Sequence, residues 1–307
     1  MTQLPASFSQ CKTNTMSLPV FYTPTMVAES GSYSPSAAKP AQVLAAWRAS
    51  ALPIEIVDLM PVTIDQLARA HDRAHVEAIL AGRKDNGFGN RSPAVAATLT
   101  YTSGAMLAAA RHAITNRAVA CAPVSGFHHA CYASAGGFCT FNGLMVAALA
   151  LHHEDGIARI GILDYDMHVG NGTEDILDRL GASFVTHFTA GAHYSVEGQG
   201  PRLLAELPAR VRAMAGCDVV LYQAGADQHI ADPLGGLLTT EELATRDQIV
   251  FSILAELGIP VAWNFAGGYQ READGSIPKV VEIHSNTARA ALAYRGAHLT
   301  PQREPRR

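Results

Sequence analysis

Short apolar segments alternate with helical segments along most of this chain, and several of the apolar segments end in polar residues. Strands that alternate with helices are typical of a parallel sheet with right-handed crossover connections. In such a sheet the carboxyl ends of the strands lie along one edge, where ligands bind. We therefore predict an α/β fold with a central, mostly parallel sheet flanked by helices. The predicted strands are residues 54–59, 118–122, 160–164, 184–188, 219–223 and 261–265, after a short strand near Val20, and the predicted helices are residues 37–49, 63–80, 93–116, 144–153, 173–180, 203–215 and 241–257.

The composition excludes several classes of protein. The 23 basic and 27 acidic residues give a formal net charge of -4, which does not favour a nucleic-acid partner. Five cysteines without a Cys-x-x-Cys pair indicate a reducing compartment, so we expect a cytoplasmic protein. The longest apolar run, residues 143–151, is shorter than the roughly 20 residues of a membrane helix, so we expect no membrane partner.

The two ends of the chain differ in composition from the rest. Residues 1–17 are rich in Ser, Thr and Gln and lack the apolar segment of a secretory signal, so we expect a flexible segment there. Residues 300–307 form a short basic tail. No linker or repeat interrupts residues 18–299, which we predict to form a single domain.

Two acids and a histidine alternate where the strand at residues 160–164 ends. In extended chain, residues two apart point the same way, so Asp166 and His168 can hold one metal ion, with Asp164 close behind. Asp227, after the strand at residues 219–223, is the natural third ligand, although an acid there can also simply cap the next turn. Carboxylate and imidazole ligands suit zinc or Fe(II), and an Asp/His/Asp set fits a zinc site.

Further polar residues follow two other predicted strands. His128 and His129 form an adjacent pair, which is either one core and one exposed histidine or a general base near a metal-bound water. Asp164 and Asn171 are candidates to orient the two rings. Tyr269 follows Gly267 and Gly268, where it either packs over a glycine turn or donates to a developing oxyanion. Gly137 and Phe138 lie in a plain turn or in the wall of a narrow substrate channel.

These motifs, in this order, resemble the zinc-dependent histone deacetylase family, which includes bacterial acetylpolyamine amidohydrolases. The resemblance rests on G-F-H-H-A at residues 126–130, G-G-F-C-T-F-N at 136–142, D-Y-D-M-H-V-G-N-G-T at 164–173, A-G-A-D-Q-H-I-A-D-P-L-G at 224–235 and G-G-Y at 267–269. Weaker matches extend it from about residue 22 to residue 294. It implies the three-layer arginase-deacetylase fold and a zinc-dependent hydrolase that converts an acetamide to acetate and a free amine.

The resemblance also implies a role for each residue of the site. Asp166, His168 and Asp227 would bind zinc, and His129 would act as general base and acid beside an electrostatic partner, His128. Asp164 would support His128 and Asn171 would support His129. Tyr269 would contact the acetyl oxygen. The residues around the substrate would be Phe138, Gly137, Gly267 and Gly268. The ligands of a potassium ion would be Asp164, Asp166, His168, Thr186 and His187.

The sequence departs from the family pattern at a few positions. Val169 replaces a second histidine after the zinc ligand, residues 123–127 replace Arg-Pro-Pro-Gly, and Asn171 stands where aspartate is common. None of these changes removes a group that hydrolysis requires, but the change at residues 123–127 leaves the substrate specificity open. The substrate is an acetylated polyamine, another small acetylated amine or an acetyl-lysine, and its choice depends on the loops at residues 23–34, 85–90 and 189–200. A homo-oligomer that narrows the channel would favour slender polyamines.

Two other functions fit parts of the pattern. A non-catalytic protein with a deacetylase-like fold could bind acylated ligands, although it would not need His128, His129 and Tyr269 together. A dimanganese ureohydrolase shares the fold, but its Asp-Ala-His-x-Asp and Ser-x-Asp-x-Asp patterns are absent.

Overall fold

A seven-stranded parallel sheet forms the centre of the computed structural model, which describes residues 17–295. The strands are β1 (Leu18–Phe21), β2 (Ile54–Val57), β3 (Val119–Ala122), β4 (Ile160–Asp164), β5 (Val185–Thr189), β6 (Val219–Gly225) and β7 (Val261–Ala266). Their order is β2-β1-β3-β7-β6-β4-β5, and every pairing between neighbours is parallel. The predicted α/β fold is therefore confirmed.

Helices cover both faces of the sheet. They are α1 (Lys39–Ala49), α2 (Ile64–Ala70), α3 (Arg73–Leu80), α4 (Pro93–Asn116), α5 (Gly143–Asp155), α6 (Asn171–Leu180), α7 (Gly200–Arg212), α8 (Thr240–Glu256) and α9 (Pro278–Arg295). Side chains cap several of them. Ser92 accepts a hydrogen bond from the Val95 amide before α4, and a capping box at Thr239 and Glu242 begins α8.

Alternate residues of each strand pack into two separate apolar cores. Val220 and Tyr222 belong to one core, beneath α1, α7, α8 and α9, whereas Val219 and Leu221 belong to the other, with α2 to α6. This alternation follows from the two-residue period of a strand, and it explains why the strands are apolar on both faces. The result is a three-layer arrangement in which polar side chains collect at the ends of the strands.

The predicted single helix at residues 63–80 is wrong, because the structure divides it into α2 and α3. His71 is extended, and the Asp72 side chain caps α3 by accepting a hydrogen bond from the His75 amide. The His71 ring is fully buried and bonds the Cys131 carbonyl oxygen at 2.9 Å. A tertiary contact and a new cap therefore outweigh the helical spacing of the apolar residues.

Other boundaries agree with the sequence prediction to within a few residues, but α9 was not predicted. No helix among residues 17–295 is both long and apolar enough to cross a membrane. The flexible segment at residues 1–17 and the basic tail at 300–307 lie outside the described residues, apart from Ser17. The single domain at residues 18–299 stays a prediction.

Candidate functional site

The three predicted metal ligands come together at the carboxyl edge of the sheet. Asp166 and His168 follow β4, and Asp227 follows β6, its neighbour in the sheet. The His168 Nδ1 atom lies 3.1 Å from a carboxylate oxygen of Asp166 and 3.1 Å from one of Asp227. Both carboxylates are buried, and His168 is partly exposed.

This group of donors fits a zinc ion. Two ligands that each lie 2.0–2.1 Å from one tetrahedral ion are separated by about 3.3 Å, close to the distances observed here. Burial opposes ionisation of Asp166, but the charges of His128 and His168 outweigh it and lower its pKa. Burial and the charge of Asp166 raise the pKa of Asp227. Hydrogen bonds to the two carboxylates raise the pKa of His168 to about 10, so the group stabilises positive charge at its centre.

His128 is buried against two acids. Its Nδ1 atom lies 2.8 Å from Asp164 Oδ2, and its Nε2 atom lies 3.5 Å from Asp166 Oδ1. Burial alone would lower the pKa of His128, but the charges of Asp166 and Asp164 raise it to about 9. The prediction that Asp164 lies beside His128 agrees with this geometry.

His129 differs from its neighbour because its partner is an amide. The Nδ1 atom of His129 lies 2.6 Å from Asn171 Oδ1. An amide oxygen only accepts, so Nδ1 carries the hydrogen and Nε2 keeps a free electron pair. Burial, together with the charge of His128, lowers the pKa of His129. The ring centres of His129 and His168 are 5.8 Å apart, so a neutral base lies next to the donor group.

Tyr269 is held over the same group by its own backbone. Its amide donates a hydrogen bond of 2.7 Å to Asp232 Oδ2, and the residue is almost completely buried. Gly267 has a φ of +47°, and a Cβ atom there would collide with the Asp227 carboxylate. Gly268 continues the turn in the same left-handed region. Burial, followed by the charges of Asp166 and Asp227, raises the pKa of Tyr269, so its hydroxyl keeps its proton.

Two phenylalanines form an apolar wall beside Tyr269. The Phe138 ring lies 5.5 Å from the Tyr269 ring and 6.1 Å from the Phe88 ring, measured between centroids. Phe138 has a φ of +61°, a costly conformation for a bulky residue that is typical of functional sites. A Cβ atom at Gly137 would collide with the His129 ring, so glycine lets this loop approach the histidine closely. Phe88, in the loop at residues 85–90, was not among the predicted site residues.

The predicted potassium ligands are only partly brought together. His187 has a buried Nε2 atom without a hydrogen-bond partner among the described residues, and burial lowers its pKa against the opposing charge of Asp164. Thr186 is exposed and pairs with Gly161, three residues before Asp164 along β4, so the structure does not bring it to the site. Thr189 pairs with Asp164 instead, and its hydroxyl accepts a hydrogen bond from the Gly170 amide. Occupancy by potassium stays a prediction.

Lys39 is a functional candidate that the sequence did not identify. Its side chain is fully buried, with Nζ 3.3 Å from the Ser125 hydroxyl and in a short hydrogen bond to the Gly267 carbonyl oxygen. Burial lowers its pKa to about 8 against the opposing effect of Asp227, Asp166 and Asp232. It therefore connects α1 to the turn that carries Tyr269. Its only sequence signal is its place in the segment S-P-S-A-A-K-P.

Comparisons of sequence and structure relate this chain to known proteins. Residues 35–193 match the family model of the histone deacetylase domain. An uncharacterized protein of Picosynechococcus sp. is 30% identical over 211 residues, covering 63% of this chain and 68% of that protein. Histone deacetylase 10, chloroplastic, of Oryza sativa is 27% identical over 72% of this chain, which covers 60% of that protein.

A relative with a shorter alignment and one solved structure extend the comparison. Acetylpolyamine amidohydrolase of Mycoplana ramosa is 28% identical over 46% of this chain and 49% of that protein. The crystal structure of the HDA15 HD domain superposes with a TM-score of 0.75 over 91% of this chain and 90% of that one. Its sequence identity is 19%, so this likeness shows the fold alone.

Proposed function

Because this chain belongs to the histone deacetylase family, we propose that it is a zinc-dependent amidohydrolase that converts an acetylated amine to acetate and a free amine. Relatives with a named substrate class include the acetylpolyamine amidohydrolase of Mycoplana ramosa and the polyamine deacetylase HDAC10 of Homo sapiens. The observation that carries the proposal is the His168 Nδ1 atom between two buried carboxylates, with His129 next to it. A non-catalytic acyl-binding protein would not need this base.

Asp166, His168 and Asp227 would hold the zinc ion. When bound, the ion would supply a Lewis acid that polarises the amide carbonyl and lowers the pKa of water. His129 would accept a proton at Nε2, because Nδ1 is committed to Asn171 and burial keeps the ring neutral. The same atom would return the proton to the leaving amine.

The other site residues would act on charge and position. The Tyr269 hydroxyl would donate a hydrogen bond to the oxygen on which negative charge develops. His128 would keep a positive charge beside this oxygen, since Asp164 and Asp166 raise its pKa. Phe138 and Phe88 would exclude water and form an apolar wall along the alkyl chain of the substrate.

The test is acetate release by zinc-loaded protein from acetylputrescine, acetylspermidine and an acetyl-lysine peptide, with the Tyr269→Phe variant in parallel. We expect Tyr269→Phe to lower kcat by about 10²–10³-fold, as for loss of an oxyanion donor. Metal analysis should give one zinc per chain. This stoichiometry is expected because, among the described residues, only Asp166, His168 and Asp227 form a group of possible metal ligands. Two manganese ions per chain would support a ureohydrolase instead.

The matched control is Tyr101→Phe, which removes a hydroxyl from α4, a helix that carries none of the proposed site residues. This variant should keep normal turnover. Near-normal turnover by Tyr269→Phe would remove Tyr269 from the mechanism. Zinc-loaded protein that binds acetylated amines without releasing acetate would favour the non-catalytic function.

A further inference from the structure

A polar cavity of about 360 Å³ lies next to the candidate site. One side consists of residues 29–35, and the other consists of residues 271–276, which follow Tyr269 closely. Its walls carry ionisable and hydrogen-bonding side chains, among them Glu29, Ser30, Ser34, Gln42, Arg271 and Asp274. None of these residues has a role in the proposed hydrolysis.

The cavity begins where the substrate channel would open. The ring of Tyr33 stacks on the ring of Tyr269, with centroids 6.5 Å apart and planes 14° apart. Ser32 and Ser34, on either side of Tyr33, line the cavity. Arg271 lies two residues after Tyr269, a span of at most about 7 Å, which is comparable with an extended four-carbon side chain. The cavity therefore lies within the length of such a side chain from Tyr269.

Charges of both signs line this cavity. Arg271 is exposed and forms no ion pair within 4.0 Å in the described part of the chain. The backbone of Gly275 leaves room for its guanidinium group, since a Cβ atom there would lie 3.0 Å from a guanidinium nitrogen. Hydrogen bonds from Ser276 lower the pKa of Asp274, so this carboxylate is ionised at neutral pH. Glu29 provides a second carboxylate.

This combination selects among classes of acetylated amine. The remote end of a polyamine carries only positive charge, which would pair with Asp274 or Glu29 but would leave Arg271 without an anionic partner. A lysine within a peptide carries no charge at its backbone. A free amino acid presents a carboxylate, which suits the planar donors of arginine, and an ammonium group, which suits Asp274 and Glu29.

We propose that the cavity binds the zwitterionic head of a free acetylated amino acid such as Nε-acetyl-lysine, whose acetamide lies at Tyr269. The proposal rests on the proposed function, because it assigns the remote end of the same substrate. Serine hydroxyls from Ser30 and Ser34 complete the polar surface around this head.

The test compares kcat/KM for substrates that share one acetamidopentyl chain. Nε-acetyl-lysine carries both charged groups, N-acetylcadaverine lacks the carboxylate, 6-acetamidohexanoate lacks the ammonium group, and a doubly capped acetyl-lysine carries neither. We expect free Nε-acetyl-lysine to exceed the other three by about tenfold or more, chiefly through KM, as charge-assisted hydrogen bonds predict. A preference for N-acetylcadaverine or for the capped compound would overturn the proposal.

Charge-removing variants separate the two ends of the head group. Arg271→Gln should lower kcat/KM about tenfold for the two substrates with a carboxylate and leave N-acetylcadaverine unchanged. The double variant Glu29→Gln, Asp274→Asn should lower kcat/KM about tenfold for the two substrates with an ammonium group and leave 6-acetamidohexanoate unchanged. Arg289→Gln, an exposed charge change on α9, is the matched control and should affect no substrate. Equal losses for all four substrates in Arg271→Gln would overturn the proposal.

Failure of the proposed function has a different signature. If no acetamide is hydrolysed, calorimetric titration with free Nε-acetyl-lysine still tests the cavity. Binding to the wild-type protein that Arg271→Gln weakens tenfold would support the cavity assignment alone. Absence of binding would overturn it.

Discussion

Two pairs of histidines border the segment at residues 130–142, since His71 and His75 contact it and His128 and His129 come immediately before it. The two most buried rings, His71 and His128, have opposite electrostatic surroundings. His71 bonds the Cys131 carbonyl oxygen through Nδ1 and accepts the Asn142 amide hydrogen at Nε2, each at 2.9 Å. Burial lowers the pKa of His71 to about 4. His128 is equally buried, but the charges of Asp166 and Asp164 overcome burial and raise its pKa to about 9.

The comparison shows that burial alone does not decide what a histidine does. A buried ring with backbone partners stays neutral and has a structural role. Here the His71 ring connects Cys131 to Asn142, the residue before α5. A buried histidine ring beside carboxylates, such as that of His128, instead carries a positive charge. His129 lies between these cases, because Asn171 orients it without supplying a charge. A neutral but positioned ring is what a general base requires.

The largest expected difference between the pairs is in activity. His129→Gln should lower kcat by about 10²–10⁴-fold, because it removes the proposed base. His75→Gln should leave kcat within about threefold, since His75 contacts Lys84 and not the donor group. Acetate release under saturating substrate measures both. If His75→Gln were as inactive as His129→Gln with normal zinc content, the two pairs would not differ in function.

A smaller effect is expected on stability. His71→Leu would leave the Asn142 amide and the Cys131 carbonyl unpaired inside the protein, at a cost of about 1–3 kcal/mol in the free energy of unfolding. Urea denaturation measures this cost. His153→Leu, at an exposed position of α5, is the control and should change the free energy by about 0.5 kcal/mol or less. An unchanged midpoint for His71→Leu would show that this bridge contributes little.

The smallest expected effect is the pH dependence of the loss of stability caused by His71→Leu. The pKa of His71 in the folded protein, about 4, lies below the ordinary histidine value of 6.5, so the unfolded chain takes up a proton first as the pH falls. The stability due to neutral His71 is therefore complete above pH 6.5 and is lost between pH 6.5 and 4. The cost of His71→Leu should be smaller at pH 5 than at pH 7, by about 1–2 kcal/mol. Equal costs at both pH values would mean that His71 keeps its ordinary pKa.

The sequence predicted those parts of the site that depend on local order. The two-residue spacing of Asp166 and His168 after a strand, and the place of Asp227 after another strand, both follow from the topology of a parallel sheet. The assignment of His129, Asn171 and Tyr269 to particular roles came from the family resemblance. The structure places these side chains together, and the roles themselves stay proposals.

The parts that sequence did not predict depend on distant contacts. Lys39 resembles any surface lysine until the Gly267 carbonyl, 228 residues away, becomes its partner. The break at His71 likewise follows from a contact with Cys131 and not from helical propensity. The pairing of Thr186 with Gly161 and of Thr189 with Asp164 likewise depends on the register of β5 against β4, which no local sequence pattern indicates.

The position of β7 has a consequence for how the chain folds. This strand is the last of the seven in sequence, yet it lies between β3 and β6 in the sheet. Until it is synthesised, β2-β1-β3 and β6-β4-β5 have no strand that joins them, and each leaves an unpaired edge. Pairing over such long sequence separations is slow. A ribosome-bound chain that ends before residue 261 would therefore expose two half-sheets, and this stage of synthesis is where chaperones would matter most.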